Sequence, residues 1–137
     1  MRLINKIILH CSATKEGHPF TAKDIREWHI QRGWKSIGYH YVILLDGTIQ
    51  TGRLESEIGA HTVGQNVHSI GICYIGGLDA YGKPKDTRTS QQKNALKTLV
   101  AELLKKYPGS MVHGHYEFAN KACPCFNVQR EFSNEII

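Results

Sequence analysis

Short apolar segments alternate with polar, glycine-containing segments along this chain. Apolar runs of this length that are rich in branched residues predict β-strands. We expect strands at residues 3–9, 39–45, 48–53, 69–75 and 111–114. The first of these strands is expected to end at His10. The dipeptide Asp46-Gly47 lies between the second and third of these segments and predicts a tight hairpin turn, because it readily adopts the positive φ angles that such turns need.

Helical patterns separate these strands. Residues 21–24 form a capping-box pattern, which predicts a helix that Gly33 ends. The longest helix is expected to begin at residue 89 or 90 and to end near Lys106, and a terminal helix is expected at 127–136. Strands interleaved with helices predict an α/β fold with a central mixed β-sheet flanked by helices. No repeat or linker divides the sequence, so residues 1–137 are predicted to form a single domain.

Composition narrows the class of protein. Of the 137 residues, 41% are hydrophobic and 21% are charged, which is typical of globular domains and excludes a disordered chain. No apolar run approaches the roughly 20 residues of a membrane-spanning helix. The first apolar stretch is interrupted by Asn5 and Lys6, and no small-residue cleavage site follows it, so we expect no signal peptide and synthesis in the cytoplasm.

The charge balance indicates an anionic partner. Seventeen basic and twelve acidic residues give a net charge of +5. Such a charge suits nucleic acid, a membrane surface or an anionic cell-wall polymer. The sequence contains no block of lysine and arginine and no basic residues interleaved with aromatic ones, which disfavours nucleic acid.

The candidate chemistry lies at the ends of strands. His10 and His115 each follow a predicted strand, and Cys123 lies in the loop after the last of them. Three nitrogen and sulfur ligands without a fourth are typical of catalytic zinc, where water occupies the open position. The alternative is that three unrelated polar residues happen to end strands. Residue spacing alone leaves both interpretations open.

Several segments together resemble one family, the type-2 N-acetylmuramoyl-L-alanine amidases. This family includes the peptidoglycan recognition proteins and a branch of phage lysozymes, and the phage branch is the most similar. The matching segments cover nearly the whole chain in the same order. They are Ile8-Leu9-His10-Cys11-Ser12-Ala13-Thr14, Gly33-Trp34, Ile37-Gly38-Tyr39-His40-Tyr41, Asp46-Gly47-Thr48, Gly59-Ala60-His61, Asn66, Ser69-Ile70-Gly71-Ile72, His115 and Lys121-Ala122-Cys123-Pro124.

The resemblance implies the single-domain amidase fold and a zinc ion held by His10, His115 and Cys123. It also implies hydrolysis of the amide bond between N-acetylmuramic acid and the L-alanine of peptidoglycan, by an endolysin or a delivered effector. Tyr39 and Lys121 match the residues that assist catalysis in the phage branch. Without the resemblance, Tyr39 would be read as a half-buried strand residue and Lys121 as a solvated lysine.

The resemblance also places His61 and Asn66 on the loop that lines the substrate groove, which implies muropeptide binding. The plainer interpretation of His61 is a surface histidine. Close relatives often have a small hydroxyl residue where this chain has Cys125, and we expect Cys123 rather than Cys125 to face the metal. Glu55 and Glu57 are expected to be solvated.

The remaining histidines are expected to be structural or exposed. His40 alternates with Tyr39 and is predicted to be structural, His29 is predicted to be packed or hydrogen-bonded, and His18, His68 and His113 are predicted to lie on the surface.

Two other functions compete with hydrolysis. A peptidoglycan-binding module without catalysis is disfavoured by Cys123 and Tyr39. A regulator that binds RNA polymerase, an activity of some phage amidases, is disfavoured because only nine residues precede His10.

Overall fold

The structure, a computed structural model, describes residues 2–132, and its elements follow the predicted alternation of strands and helices. In chain order these elements are β1 (Lys6–Cys11), β2 (Thr14–Lys15), α1 (Ala22–Gln31), β3 (Tyr41–Ile43), β4 (Ile49–Thr51), β5 (Ser69–Tyr74), β6 (Gly77–Leu78), α2 (Ser90–Lys106), β7 (Met111–Gly114) and α3 (Val128–Glu131). One 3₁₀ turn, Asn66–His68, directly precedes β5, and another, His115–Glu117, directly follows β7.

Five strands form a mixed sheet in the order β4-β3-β5-β1-β7. The central strand β1 pairs in parallel with both β5 and β7, and β3 pairs in parallel with β5. Only the pairing of β3 with the edge strand β4 is antiparallel. Because parallel strands end at the same edge of a sheet, the segments that follow β1, β5 and β7 leave the sheet side by side. The predicted central mixed sheet is confirmed.

Helices cover both faces of the sheet. On one face, Ile7 and Leu9 of β1 belong to a core that includes Leu99 of α2. On the other face, Cys73 of β5 packs with Ile25 of α1. The strand β1 is therefore buried on both sides, which explains why its sequence is a continuous apolar run rather than an alternating one.

The first strand begins later than the sequence predicts. Leu3 is 71% exposed, and β1 extends from Lys6 to Cys11 instead of from residue 3 to residue 9. The register explains the shift, because Lys6 pairs with Ser69, the first residue of β5. As a result His10 lies inside the strand, where it is almost fully buried.

The hairpin is confirmed, but its strands are shorter than predicted. The N–H of Gly47 donates to the carbonyl of Leu44 at 2.9 Å, and Gly47 has a φ of 89°, which a glycine tolerates without strain. Tyr39 was expected within the hairpin strand, but it lies two residues before β3. Its carbonyl still accepts a bond from the N–H of Arg53, so backbone pairing continues irregularly past the end of the strand.

The helix starts are confirmed at both long helices. Thr21 and Thr89 are the N-caps of α1 and α2, and each forms a complete capping box. The terminal helix α3 begins at Val128, and the part predicted at 133–136 lies outside the described residues. Within residues 2–132, no helix has the length and the apolar character that crossing a membrane requires.

The small parallel pair of β2 and β6 was not predicted. Each of these strands has two residues, which is too short to produce a recognisable pattern in the sequence. Their pairing connects the segment that follows β1 with the segment that follows β5.

A buried glutamine ties α2 to the sheet. The side chain of Gln92 is fully buried, and its Nε2 donates to the carbonyls of Ile43 and Ile75 at 3.2 and 3.0 Å. Its Oε1 accepts from the N–H of Thr89, which completes the capping box. One side chain therefore satisfies polar backbone groups of β3, of the end of β5 and of the helix start.

We expect Gln92→Ala to lower the free energy of unfolding by about 2–4 kcal/mol, because it removes the Nε2 donor from two carbonyl groups and the acceptor of the Thr89 N–H. Urea unfolding followed by circular dichroism measures the effect. The exposed neighbour Gln91 provides the control, and Gln91→Ala should change the free energy of unfolding by less than about 0.5 kcal/mol. Equal effects of the two substitutions would contradict this role for Gln92.

Candidate metal centre

The parallel sheet brings two histidines together. His10 is the next-to-last residue of β1, and His115 directly follows β7, its parallel neighbour. Their ring centroids are 4.6 Å apart. Cys123 approaches from the loop after His115, and its Sγ lies 3.9 Å from His10 Nδ1. One ligand atom from each of the three residues lies within 4.8 Å of the others, so the structure assembles the predicted triad.

The two cysteines of this loop face different ways. The backbone N–H of Cys11 donates to the sulfur of Cys123 at 3.1 Å. The sulfur of Cys125 instead lies 3.3 Å from the carbonyl oxygen of Gly77 and 3.9 Å from the sulfur of Cys11. Cys125 has a φ of 70°, and this turn of the backbone separates the two thiols. The expectation that only Cys123 joins the histidines agrees with this geometry.

The histidines of the triad are held in their neutral form. Burial lowers the pKa of His10 well below its ordinary value, and the nearby His61, His115 and Lys121 lower it further. Burial, together with the charge of Lys121, also lowers the pKa of His115. A neutral imidazole has a free nitrogen lone pair, which is the form that binds a metal.

His61 is buried rather than exposed on a surface loop. Its Nδ1 lies 2.9 Å from His10 Nε2 and 2.9 Å from Thr62 Oγ1, and its Nε2 lies 3.3 Å from Ser69 Oγ. Burial lowers the pKa of His61 to about 3. The sequence pattern gave no sign of the role of Thr62, although the residue directly follows the Gly59-Ala60-His61 segment.

Asn66 organises the backbone of the same loop. Its Oδ1 accepts bonds from the N–H groups of His61 and Thr62, both at 3.0 Å. Asn66 and His61 also line one open groove of about 440 Å³. Trp34 and Phe118 line this groove too, and sequence reasoning did not assign Phe118 to the site.

A pocket of about 200 Å³ lies directly against the triad, and His115 and Cys123 are part of its wall. Tyr39 and Lys121, the two predicted catalytic residues, also line it. This pocket shares Arg32, His115 and Lys121 with the open groove, so the two form one continuous cleft. No aspartate or glutamate lines either part among the described residues. Sequence reasoning missed Arg32, although it directly precedes the Gly33-Trp34 motif.

Tyr39 is packed against the triad. Its ring centroid is 5.1 Å from that of His10 and 5.6 Å from that of His29. Burial raises the pKa of Tyr39 well above its ordinary value. The phenol therefore keeps its proton at neutral pH and is a hydrogen-bond donor, with the thiol of Cys73 as a partner of its hydroxyl group.

Two other histidines are structural, as predicted. His40 is fully buried, with Nδ1 accepting from the N–H of Gly71 at 3.0 Å. His29 accepts from the N–H of Gly38 at 2.9 Å. His18 and His68 are exposed as expected. His113 was predicted on the surface but is half-buried, because it pairs with Glu117 at 2.9 Å.

The expectation that Glu55 is solvated was wrong. Its carboxylate accepts from the hydroxyl groups of Tyr41 and Tyr107 and pairs with Lys106 at 2.9 Å. Glu57 is exposed as expected. Both tyrosines lie far from Glu55 in the sequence, so local pattern could not predict this network.

Two histidines and one cysteine beside a pocket could hold one metal ion and leave room for a fourth ligand, an arrangement found in metal-dependent hydrolases. The model of the N-acetylmuramoyl-L-alanine amidase family matches residues 1–126, and the chain belongs to this family.

Relatives cover nearly the whole chain. The endolysin of Escherichia phage T7 is 42% identical over 132 residues, which are 96% of this chain and 87% of that endolysin. The solved structure of the N-acetylmuramoyl-L-alanine amidase LysC from Clostridium intestinale URNW is 30% identical, with a TM-score of 0.81 over 98% of this chain and 88% of LysC. A mutant of Drosophila PGRP-LB in complex with tracheal cytotoxin is 28% identical, with a TM-score of 0.81 over 98% and 82% of the two chains.

We expect Cys123→Ser to weaken the binding of a divalent cation strongly, because it replaces a thiolate ligand with a poor one. The matched substitution Cys125→Ser should leave binding nearly unchanged, since that sulfur faces Gly77. Titration of the metal-free variants with Co²⁺, followed by the charge-transfer absorption of a cobalt–thiolate bond, measures both. If Cys125→Ser removed the absorption and Cys123→Ser kept it, the assignment of the cysteine ligand would be reversed.

Proposed function

We propose that this chain is a zinc-dependent endolysin that hydrolyses the amide bond between N-acetylmuramic acid and L-alanine in peptidoglycan. The observation that carries the proposal is the triad of His10, His115 and Cys123 beside a cleft, in a chain that belongs to the amidase family. Tyr39 and Lys121 are its proposed catalytic residues. His61 and Asn66 are its proposed muropeptide-binding residues.

The donor set fits zinc. Two neutral imidazoles and one cysteine sulfur are the nitrogen and sulfur ligands that Zn²⁺ prefers, and three protein ligands are the usual number at a catalytic site. The N–H of Cys11 donates to the sulfur of Cys123 and so holds this sulfur beside the histidines. When bound, Zn²⁺ polarises a carbonyl group and lowers the pKa of a coordinated water to about 7.

Lys121 and Tyr39 supply the remaining polar groups of the pocket. Lys121 would then stabilise the negative charge that develops on the carbonyl oxygen of the amide during attack. The phenol of Tyr39 keeps its proton because of burial, so it donates a hydrogen bond to the attacking water or to an oxygen of the substrate.

The cleft suits a sugar-linked peptide. Its open part presents an indole and a phenyl ring from Trp34 and Phe118, and its deeper part ends at the triad. His61 and Asn66 lie at the open part, which supports their assignment to muropeptide binding. The complex of the PGRP-LB mutant with tracheal cytotoxin is a ligand-bound structure with the same fold as this chain.

Endolysin action is supported by the phage relatives and by charge. The endolysin of phage T7 aligns with 96% of this chain. We propose that the protein accumulates in the cytoplasm and acts on the cell wall after release. Its net charge of +5 would then hold it near anionic wall polymers, with an attraction that salt weakens.

Glycoside hydrolysis is disfavoured by the composition of the cleft. A glycosidase uses two carboxylates on either side of the bond that it cuts. The described residues that line the cleft include no acidic side chain, and the carboxylate of Glu55 is engaged by Tyr41, Tyr107 and Lys106. An amide hydrolase with a metal needs no such pair.

We expect Tyr39→Phe and Lys121→Ala each to lower kcat by roughly 10- to 1000-fold while zinc remains bound, since these residues act on protons or developing charge and not on the metal. Turnover of purified peptidoglycan and metal content are measured on the same samples. The exposed residues Tyr81 and Lys35 provide matched controls, and Tyr81→Phe and Lys35→Ala should keep wild-type turnover. A Tyr39 or Lys121 variant with wild-type kcat would remove that residue from the mechanism.

The products of digestion test the proposed function directly. Purified peptidoglycan should release stem peptides with free L-alanine amino termini and should gain no new reducing sugar ends, because the bond cut is an amide. A chelator should stop the release, and added Zn²⁺ should restore it. New reducing ends would assign the chain to glycoside hydrolysis. Binding of peptidoglycan without cleavage, by protein that contains zinc, would instead indicate a recognition module.

A further inference from the structure

The imidazole of His61 lies behind His10, on the side away from Cys123. His10 has two ring nitrogens with different neighbours. Its Nδ1 faces the sulfur of Cys123 at 3.9 Å, and its Nε2 faces His61 Nδ1 at 2.9 Å. The resemblance to amidases assigns His61 to substrate binding, but this contact gives it a second, internal connection to the metal ligand.

The contacts allow one consistent assignment of the ring protons. If His10 Nδ1 offers its lone pair to the metal, the single proton of the neutral ring lies on Nε2. His61 Nδ1 then accepts this proton's hydrogen bond, and the proton of His61 itself lies on Nε2. That nitrogen lies 3.3 Å from the hydroxyl oxygen of Ser69, which accepts from it. The result is a directed chain of hydrogen bonds from His10 through His61 to Ser69.

Thr62 supports the same arrangement. Its Oγ1 lies 2.9 Å from His61 Nδ1 and 3.3 Å from His10 Nε2. Because the lone pair of His61 Nδ1 already accepts from His10, the hydroxyl oxygen of Thr62 fits this assignment as a second acceptor of the His10 Nε2 proton. Ser69 and Thr62 are both buried, which keeps water from competing with them.

Two glycines leave the space that the His61 ring occupies. A Cβ atom built on Gly71 would lie 2.6 Å from the ring, and one built on Gly59 would lie 2.7 Å from it. These distances are too short for any side chain. The chain therefore brings the backbone of two segments close against the imidazole, which restricts the orientation of the ring.

We propose that His61 is a positioning residue that accepts the Nε2 proton of His10 and so fixes the ligand in the tautomer whose Nδ1 lone pair faces Cys123. The proposal rests on the proposed function, because it takes His10 to be a metal ligand. A metal-bound histidine usually donates its second N–H to a carboxylate or a carbonyl group. In this chain a second imidazole is the acceptor.

Two variants of equal shape separate hydrogen bonding from packing. Asn and Leu branch in the same way, but only Asn carries an acceptor oxygen near the position of His61 Nδ1. We expect His61→Leu to weaken zinc binding by about 10- to 100-fold, as measured by competition with a chromogenic chelator, and His61→Asn to recover most of the loss. Ser69→Ala should weaken binding in the same direction but less, and His68→Leu, at an exposed histidine, should have no effect.

The tautomer is measured directly by long-range ¹H–¹⁵N NMR of the imidazoles in the metal-free protein. We expect the proton of His10 on Nε2 in the unaltered chain and in His61→Asn, and a mixture of tautomers in His61→Leu. Because this readout needs no metal, a chain that binds no zinc would overturn the proposed function separately. A proton on His10 Nδ1 in the unaltered chain, or equal zinc affinities for His61→Leu and His61→Asn, would overturn the positioning role.

Discussion

The parallel pairing of β1 with β7 is the constraint on which the site depends. His10 and His115 are far apart in the sequence, yet both come at the carboxyl ends of these neighbouring strands. An antiparallel arrangement would place them at opposite edges of the sheet. Cys123, the third residue of the triad, needs only a short loop after β7, and the N–H of Cys11 at the end of β1 donates to its sulfur.

Placing His10 inside a buried strand requires polar partners from the segments around it. His10 is almost fully buried, and every polar atom of its ring therefore needs a partner. Cys123 lies on one side of the ring, and His61 and Thr62 lie on the other. Their loop is in turn held by Arg2, which donates to the carbonyls of residues 55, 66, 67 and 69. The hydrogen-bond network around His10 thus extends to Arg2.

Sequence reasoning succeeded where the determinants are local. The caps at Thr21 and Thr89 and the turn at Asp46-Gly47 depend on side chains within a few residues, and all three are present. The resemblance to amidases supplied the triad, since spacing alone could not distinguish ligands from unrelated polar residues. The burial of His61 and the pairing of Glu55 with distant tyrosines could not be predicted, because each depends on segments that only the folded sheet brings together.

The choice between the two cysteines of the last loop shows how backbone conformation can select a ligand. Cys123 and Cys125 have the same chemistry, and only one residue separates them. The left-handed conformation at Cys125, with a φ of 70°, turns the chain so that its sulfur faces the carbonyl of Gly77. A residue with a side chain is strained in that conformation, so tertiary contacts must hold it there. The sulfur of Cys123 is thereby left facing His10, where the N–H of Cys11 donates to it.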